Sequence, residues 1–371
     1  MPELYPHLAA LPADVASHLL AWYDVHAADL PWRAEREAYR IWLSEIMLQQ
    51  TQISTVIPYY QRFLAAYPTV QALARAPLDE VLKLWEGLGY YSRARNLHKC
   101  AQMVAEQGFP QTVEGLMGLP GIGRYTAGAI ASIAFGVRAP VLDGNVMRVF
   151  TRLLDLTAPV SDAKVQAALW QVAEQALPAQ RAGDYNQALM ELGQRLCTPR
   201  KPACAECPVR HLCRAYAAQT QSERPIKQAK KASPHYDVAA GLVRDDQGRL
   251  LIAQRKAEGL LGGLWEFAGG KQEAGESLEA CLRRELREEL AIEVEVGAHF
   301  ISVQHAFTHF KITLHAYECR YLGAMPPYSE PQALECQAWR WVREQELEAY
   351  SFGKADRLVI EALRQRHQRL L

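Results

Sequence analysis

Four of the eight cysteines lie close together, in the spacing C-x6-C-x2-C-x5-C. Four thiolates can hold a tetrahedral zinc ion or an iron–sulfur cube. Zinc ribbons usually carry two C-x2-C pairs and this loop has one, so the spacing alone leaves the metal open. The predicted ligands are Cys197, Cys204, Cys207 and Cys213. The other cysteines stand among apolar neighbours and are predicted core residues: Cys100, Cys281, Cys319 and Cys336.

Two carboxylates stand in settings that suit acid–base chemistry. Glu45 interrupts an otherwise apolar helical segment, where burial would raise its pKa and keep a proton on it at neutral pH. Asp143 is followed by Gly144 and Asn145. Each has a plainer interpretation: Glu45 as a carboxylate that reaches from a helix to solvent, and Asp143 as part of an ordinary Asp-Gly turn.

A glycine-containing turn over residues 119–127 is predicted to open a helix. Gly121 and Gly123 permit unusual backbone angles and a close approach to the chain. The free N–H groups at the start of the following helix would favour an anion such as a DNA phosphate. A plain turn between two helices is the alternative.

A third candidate site is a row of acids on a predicted helix, Leu278–Leu290. Glu285, Glu288 and Glu289 are spaced i, i+3 and i+4 and share one helix face, where like charges repel unless a cation or basic groups offset them. Oxygen ligands of this kind suit Mg²⁺. The alternative is a solvated face balanced by the arginines at 283, 284 and 287.

The elements that must position these residues fall into two classes. From Val15 to about Ala217 the apolar residues recur at helical spacing, and prolines including Pro58 separate the segments. From Val238 onward the pattern has period two, which predicts strands around the one amphipathic helix. We therefore predict an all-α domain (1–217), a basic linker (218–235) and an α/β domain (236–371).

Composition places the chain among globular proteins and hides an uneven charge. The 371 residues carry 41 basic and 41 acidic side chains, but up to His235 there are 24 basic against 20 acidic residues, and beyond it 17 against 21. The basic residues concentrate between Arg195 and Lys231, a stretch that includes Arg224, Lys227, Lys230 and Lys231 and predicts a contact with a phosphate backbone. With neither a basic leader nor a long apolar run, a cytoplasmic protein away from membranes is expected.

Several stretches of the first domain resemble the helix-hairpin-helix DNA glycosylases of the endonuclease III superfamily, and within it the adenine DNA glycosylases. The matching stretches are Leu30–Arg33, Trp42–Thr51, Trp85–Ser92, Leu119–Ala127, Leu142–Val146 and Cys197–Cys213. The resemblance implies a six-helix barrel beside a helical module that carries a [4Fe–4S] cluster in the cysteine loop.

The resemblance also implies catalytic roles. Glu45 would protonate the adenine at N7 and later activate water, while Asp143 would stabilise or transiently bond the sugar cation. Tyr125 and Asn145 would support this site by hydrogen bonds. Bifunctional relatives carry a lysine where this chain has Tyr125, and tyrosine cannot form a Schiff base, so a glycosylase without strong strand cleavage is predicted.

The enzyme would act on an extruded base. By resemblance the adenine pocket is formed by Trp32, Arg33, Leu48 and Gln187. Gln50 and Tyr90 match residues that fill or probe the duplex on the opposite strand. Ordinary core packing is the alternative for Trp32, Leu48 and Tyr90.

The second domain resembles the Nudix fold. The stretch from Gly270 to Ile292 follows the Nudix box, with Ala291 in place of a glycine as its one departure. In adenine DNA glycosylases a Nudix-like domain reads 8-oxoguanine, and residues 304–310 resemble the reading loop, which puts Phe307, Thr308 and His309 at the probing positions.

We therefore predict a monomeric, monofunctional adenine DNA glycosylase that acts on duplex DNA with adenine opposite 8-oxoguanine or guanine. Its cofactor would be a [4Fe–4S] cluster, with Mg²⁺ a further candidate at the Nudix box. The alternative is a Nudix-type hydrolase of oxidised nucleoside triphosphates, alone or in addition. A purely redox or structural iron–sulfur protein ranks last because it leaves Glu45, Asp143 and the hairpin unexplained.

Overall fold

The computed structural model describes residues 10–226 and 233–370. The chain forms two compact units, Met1–Arg75 with Asn96–Lys230 and Ala76–Arg95 with Lys231–Leu371. Up to Ala217 its regular structure is helical, as predicted. The α-helices in this part are α1 (Val15–His26), α2 (Ala38–Leu48), α3 (Ile53–Ala66), α4 (Val70–Arg75), α5 (Leu78–Trp85), α6 (Ser92–Gln107), α7 (Val113–Met117), α8 (Arg124–Ala134), α9 (Gly144–Leu153), α10 (Ala163–Gln175), α11 (Ala182–Arg195) and α12 (Arg214–Ala217).

Helix α2 lies at the centre of the first unit. It contains neither glycine nor proline, and all its residues from Ile41 to Met47 are buried. Because a helix that is buried on every side needs partners all round, α2 packs against both α3 and α8. The Trp42 ring, fully buried, meets the edge of Phe109 at a centroid distance of 5.3 Å. This packing fixes the position of Glu45 on α2.

Pro58 corrects one sequence-based expectation, because it lies inside α3 rather than between segments. A proline within a helix removes the hydrogen bond to the carbonyl four residues earlier. Here that carbonyl belongs to Ser54 in the first turn of α3, where the residue is exposed and water can take the place of the missing donor. The helix therefore continues through Pro58.

Helices α9 and α11 approach each other closely enough to require glycine at one position. A Cβ atom at Gly193 would lie 2.7 Å from the Cβ of Asn145 and 3.1 Å from its carbonyl oxygen. The absence of a side chain at Gly193 thus lets the last turn of α11 lie against the first turn of α9. The cleft described below uses both helices.

The second unit is built on a mixed sheet, as the predicted α/β class requires. Its strands are β1 (His235–Arg244), β2 (Leu250–Arg255), β3 (Trp265–Glu266), β4 (Gly269–Lys271), β5 (Ile292–Ala306), β6 (Lys311–Ala324) and β7 (Cys336–Val342). The order β3-β2-β1-β6-β5 is extended by β4, which pairs with β1, and by β7, which pairs with β2. β1 and β6 run parallel, and the other pairs are antiparallel.

Two helices cover the two faces of this sheet. On one face, α13 (Leu278–Leu290) buries Leu282 and Leu286 against β1 and β2. On the other, α14 (Lys354–Leu370) buries Val359 and Leu363. The predicted bounds of α13 are confirmed, whereas β7 and α14 are additional elements. The four cysteines predicted to lie in the core are all buried.

The segment Ala76–Arg95 packs with the sheet unit through its polar side chains. The Glu86 carboxylate accepts hydrogen bonds from the Phe352 backbone N–H at 3.0 Å and from Arg357 Nε at 2.6 Å. Lys83 Nζ donates to the Tyr350 carbonyl at 3.2 Å. These pairings join residues more than 250 positions apart in the chain.

Ala291, the departure from the Nudix box, adopts a left-handed backbone conformation with φ 51° and ψ 45°. It ends α13, at the place where a helix commonly stops with a glycine. An alanine tolerates this conformation less well than a glycine because its Cβ crowds the carbonyl oxygen. The substitution therefore preserves the helix end at some loss of stability.

The start of the predicted linker packs against the first unit, which corrects the role expected of Arg224. Its side chain is 6 % exposed and pairs with Asp155 at 2.9 Å. Arg152 Nε also donates to the carbonyls of Gln221 and Arg224. Arg224 therefore forms a structural ion pair with Asp155, and its buried guanidinium is not available to bind a phosphate. Lys227, Lys230 and Lys231 lie outside the described residues.

Candidate active site

An open cleft of about 1050 Å³ runs through the first unit and gathers most of the predicted catalytic and base-pocket residues. Its walls come from α2, the turn before α8, the start of α9 and one face of α11. The predicted residues that line it are Trp32, Arg33, Glu45, Leu48, Gln50, Gly123, Tyr125, Asp143, Asn145 and Gln187. Residues separated by up to 155 positions in sequence thus share one cavity.

Glu45 is the buried acid of this cleft. Burial, together with the negative charge of Asp143, raises the pKa of its carboxyl to about 7, although a hydrogen bond from Tyr125 and the charge of Arg33 act in the opposite direction. Only 6 % of the residue is exposed. At neutral pH a substantial fraction of Glu45 therefore carries a proton, as general acid catalysis requires.

Tyr125 connects the glycine-containing turn to this acid. Its hydroxyl lies 2.9 Å from Glu45 Oε2, to which it donates, and 2.9 Å from Met190 Sδ. Burial and the Glu45 charge raise the pKa of the Tyr125 phenol well above its usual range, so it stays a donor. Position 125 thus holds a neutral hydrogen-bonding group beside the carboxyl.

The turn itself has the shape that its glycines permit. Gly121 has φ 76°, and a Cβ there would lie 2.8 Å from the Cβ of Asn96. Gly123 precedes α8, and no side chain caps the first N–H groups of that helix. Gly121 does not line the cleft, and its part in binding a DNA phosphate stays a prediction.

Asp143 caps helix α9 with the same carboxylate that faces the cleft. Oδ1 accepts from the backbone N–H groups of Asn145 at 2.9 Å and Val146 at 2.7 Å, and Oδ2 accepts from Asn145 Nδ2 at 2.8 Å. Burial raises the pKa of Asp143, and these hydrogen bonds oppose the rise. The hydrogen bonds thereby fix the position of the Asp143 carboxyl at the start of α9.

Two arginines on α9 join this capped helix end to the cysteine loop. Arg148 Nη2 donates to Asn145 Oδ1 at 2.8 Å, and its Nε donates to the Cys197 carbonyl at 2.7 Å. One turn later, Arg152 Nη1 lies 3.2 Å from Cys197 Sγ. The guanidinium of Arg152 thus lies beside the sulfur of a predicted cluster ligand.

The cysteine loop brings its four thiols into electrostatic reach of one another. Burial raises the pKa of Cys207 to about 12, and the charges of Cys197, Cys213 and Cys204 add to the rise. A metal overcomes such mutual repulsion by binding the deprotonated sulfurs. The described residues contain no group of three ligands arranged around one ion. Because an iron–sulfur cube gives each thiolate its own iron, the four-cysteine donor set fits a cluster.

Gln50 and Tyr90, the two predicted probes of the duplex, both have left-handed backbone conformations, with φ 57° and 49°. Such conformations are unusual for residues with side chains and occur often at functional sites. Gln50 is exposed at the end of α2, and Tyr90 is 45 % exposed. Neither side chain is committed to the core.

In the sheet unit, Tyr90 meets the predicted reading loop. Its hydroxyl lies 3.1 Å from Thr308 Oγ1. Thr308 and His309 are exposed at the tip, whereas Phe307 is half-buried and packs against Phe310 in a tilted arrangement with a centroid distance of 4.8 Å. The Phe307 ring is therefore anchored to the core side of the loop, and its part in probing the lesion stays a prediction.

Three acids of the Nudix box share one arginine as their hydrogen-bond donor. Arg284 donates to Glu276 at 2.7 Å, Glu285 at 2.9 Å and Glu288 at 3.2 Å. Glu289 differs, because its Oε2 is buried without a partner, and burial raises its pKa to about 8. The orphaned oxygen fits a bound cation, but no three acids in the described chain surround one point.

Comparisons with known proteins match both units. The model of the HhH-GPD superfamily base excision DNA repair proteins covers residues 43–175, and the NUDIX domain model covers 239–362. The human adenine DNA glycosylase is 38% identical over 402 residues, an alignment that covers 92% of this chain and 72% of that protein. The chain belongs to the adenine DNA glycosylase family. The Arabidopsis thaliana member is 36% identical over 92% of this chain and 63% of its own length.

A solved structure and a third family model add detail to the family assignment. A thermostable thymine-DNA glycosylase is 30% identical, with a TM-score of 0.50, and covers 55% of this chain and 95% of its own. The iron–sulfur binding domain of endonuclease III matches residues 197–213. The predicted fold class, enzyme class and [4Fe–4S] cofactor are thereby confirmed at the level of the adenine DNA glycosylase family. The site residues, domain limits and monomeric state stay predictions.

The adenine DNA glycosylase cleft also contains side chains that sequence reasoning missed. Met190, Glu191 and Gln194 line it together with Gln187, at spacings of three, four and seven on α11. The helical period of α11 was a signal that could have found them once Gln187 was placed. In the described part of the chain, no helix is both long and apolar enough to cross a bilayer.

Proposed function

We propose that this protein is a monofunctional adenine DNA glycosylase that removes adenine paired with 8-oxoguanine or guanine in duplex DNA. The observation that carries the proposal is the single cleft that holds Glu45, Tyr125, Asp143 and Asn145. Family membership and the match to base excision repair proteins support the choice of substrate.

The cleft can supply each chemical step. The Glu45 carboxyl would give its proton to adenine N7, and the C1′–N9 bond would break with its electron pair leaving on the base. The Asp143 carboxylate would stabilise the positive sugar that remains. Water would then add to C1′ as the Glu45 carboxylate takes its proton. Tyr125 offers no amine for a covalent link to the sugar.

The [4Fe–4S] cluster would be held by Cys197, Cys204, Cys207 and Cys213. It would supply a structural cross-link for a loop with little regular structure. Arg152 supports this loop, because its Nη1 donates to Cys197 Sγ at 3.2 Å and to the Thr198 carbonyl at 2.8 Å.

The deciding assay uses duplexes that carry adenine opposite 8-oxoguanine, guanine, cytosine or thymine. We expect base release from the first two, revealed as strand breaks only after alkali treatment. Strand breaks without alkali, or equal release from all four duplexes, would contradict the proposal.

The raised pKa of Glu45 predicts a pH profile for base release. Because the acid must be protonated, the single-turnover rate should be level below pH 6 and fall about tenfold per unit once the pH exceeds about 7. The measurement is single-turnover release from an adenine·8-oxoguanine duplex between pH 5 and 9. A rate that rises through this range would exclude Glu45 as the acid.

Thr308 is proposed to read the oxidised guanine through its hydroxyl. Thr308→Val keeps the shape and removes the donor, so the preference for 8-oxoguanine over guanine should fall about tenfold. Thr308→Ser, which keeps the hydroxyl, should retain the preference. The readout is the ratio of single-turnover rates on the two duplexes, and an unchanged ratio in the valine variant would remove Thr308 from lesion reading.

One observation favours the alternative function, a Nudix-type hydrolase with Mg²⁺ at Glu285, Glu288 and Glu289. The unpartnered, buried Oε2 of Glu289 is suited to a cation. Mg²⁺-dependent release of pyrophosphate or phosphate from 8-oxo-dGTP, lost in Glu288→Gln, would establish it. Absence of turnover would leave the box as scaffold.

A further inference from the structure

Glu191, on the cleft-facing side of α11, is a buried acid with no assigned part in the reaction. The residue is 2 % exposed, and its carboxylate accepts three hydrogen bonds. The donors are the Ala28 backbone N–H at 2.9 Å, Arg33 Nη1 at 2.6 Å and Arg195 Nη1 at 2.6 Å. Such a carboxylate is a fixed negative charge in the wall of the base pocket.

Arg33 is the partner that faces the pocket. Its Nη1 is held between Glu191 Oε2 and the Ala28 carbonyl at 2.9 Å, and its guanidinium lies 5.3 Å from the centre of the Tyr23 ring. Its Nε is buried and has no partner among the described residues. Arg33 lines both the main cleft and an adjoining cavity of about 90 Å³. The Arg33 guanidinium is thus held in a fixed position in the wall of the cleft.

We propose that Glu191 is a positioning residue for base excision, which holds Arg33 in the base pocket and balances its charge beside the general acid Glu45. This inference rests on the proposed function, because it takes Glu45 as the acid. It adds a residue whose effect on the reaction is transmitted through Arg33.

The charge balance is the central physical point. The groups that face Glu45 are Tyr125, Asp143 and Arg33, and the positive charge of Arg33 lowers the pKa of Glu45. Those that face Glu191 are Arg33 and Arg195. Arginine stays charged in proteins, so removal of the Glu191 charge leaves Arg33 less compensated in a poorly solvated site. Glu45 then loses its proton at a lower pH.

The test is the pH profile of single-turnover base release in Glu191→Gln, which keeps the size and one acceptor but removes the charge. We expect the fall at high pH to begin about one unit lower than in the unaltered protein, since a charge of this kind shifts a nearby carboxyl by about that much. The rate at pH 8 would drop about tenfold while the rate at pH 5.5 stays within about twofold. A purely structural role would lower the rate equally at every pH.

Two further variants keep the inference falsifiable. Arg195→Gln removes the exposed partner of the same carboxylate and should leave the profile unmoved. The double variant Arg33→Gln/Glu191→Gln removes both charges, so its fall should return to the original pH or a higher one, even if binding of the duplex weakens. Circular dichroism and thermal melting establish that each variant is folded.

The outcomes separate this inference from the proposed function. If Glu45→Gln abolishes base release but Glu191→Gln shows no shift, the role of Glu191 is wrong and the general acid stands. If Glu45→Gln still releases adenine, the acid assignment and this inference both fail.

Discussion

The Glu45→Gln variant is expected to release adenine about 1000-fold more slowly than the unaltered protein, while it binds the adenine·8-oxoguanine duplex with little change. Glutamine keeps the size of the side chain and one carbonyl oxygen, which can still accept the hydrogen bond that Tyr125 donates to Glu45, but it has no acidic proton to transfer. A positioned general acid contributes about 10²- to 10⁴-fold. Single-turnover release and a filter-binding or anisotropy titration measure the two properties.

The same variant should also be more stable at pH 8. The folded-state pKa of Glu45 is about 7 against an ordinary 4.5, so folding must pay a free-energy penalty for the ionised form above pH 7. Below pH 4.5 the group is protonated in both the folded and the unfolded state, so there is no penalty. As the pH rises the penalty grows, and it reaches about 3 kcal/mol above pH 7. Thermal melting at pH 5 and pH 8 tests this sign.

A matched control lies at the other end of the same helix. Glu37 precedes α2, is exposed and pairs with Arg40 at 3.2 Å. Glu37→Gln should leave both base release and the pH dependence of melting unchanged. Wild-type release by Glu45→Gln would overturn the catalytic assignment whatever its stability.

The Asp143→Asn variant is the second change with a large expected effect, a loss of about 10²- to 10³-fold in base release. The side chain of Asp143 does two things at once, since it caps α9 through Oδ1 and places a negative charge at the cleft. Asparagine keeps the cap acceptor and removes the charge, and electrostatic stabilisation of a developing charge is worth about this much. Single-turnover release with thermal melting separates the two contributions.

Asp143→Ala completes the comparison. It removes the cap as well, so melting should report an additional loss of about 1 kcal/mol relative to Asp143→Asn. If both variants release adenine equally slowly while only Asp143→Ala has a lower melting temperature, the charge accounts for catalysis and the cap for stability. If asparagine releases adenine at the original rate, the charge has no catalytic part.

The sequence predicted the helical unit and α13 because their apolar periods were strong. α14 was missed although Val359, Ile360 and Leu363 repeat at helical spacing, since charged residues dominate the rest of that segment. β7 was missed because the adjacent apolar pairs Ala338-Trp339 and Trp341-Val342 interrupt the apolar–polar alternation around Arg340. Its place is decided by pairing with β2, which is a tertiary contact.

In the candidate site, the local sequence predicted the burial of an acid when its sequence neighbours are apolar. It did not predict burial that depends on residues far away in the chain. Glu45 was predicted because its own neighbours are apolar. Glu191 was not, because an acid in a helix is usually solvated, and here its burial depends on Arg33 from 158 positions earlier. The prediction for Arg224 was wrong in the opposite sense, because an exposed basic side chain was expected and a buried one was found. Its polar neighbours in the sequence do not reveal the ion pair with the distant Asp155.

The left-handed backbone conformation of Ala291 shows which kind of motif position tolerates substitution. The last glycine of the Nudix box denotes a backbone conformation, and alanine can adopt it at a loss of about 1 kcal/mol. A substitution at this position therefore lowers the free energy of unfolding but does not change where α13 ends. Motif letters that encode a conformation can drift in this way, whereas those that encode a reactive group cannot.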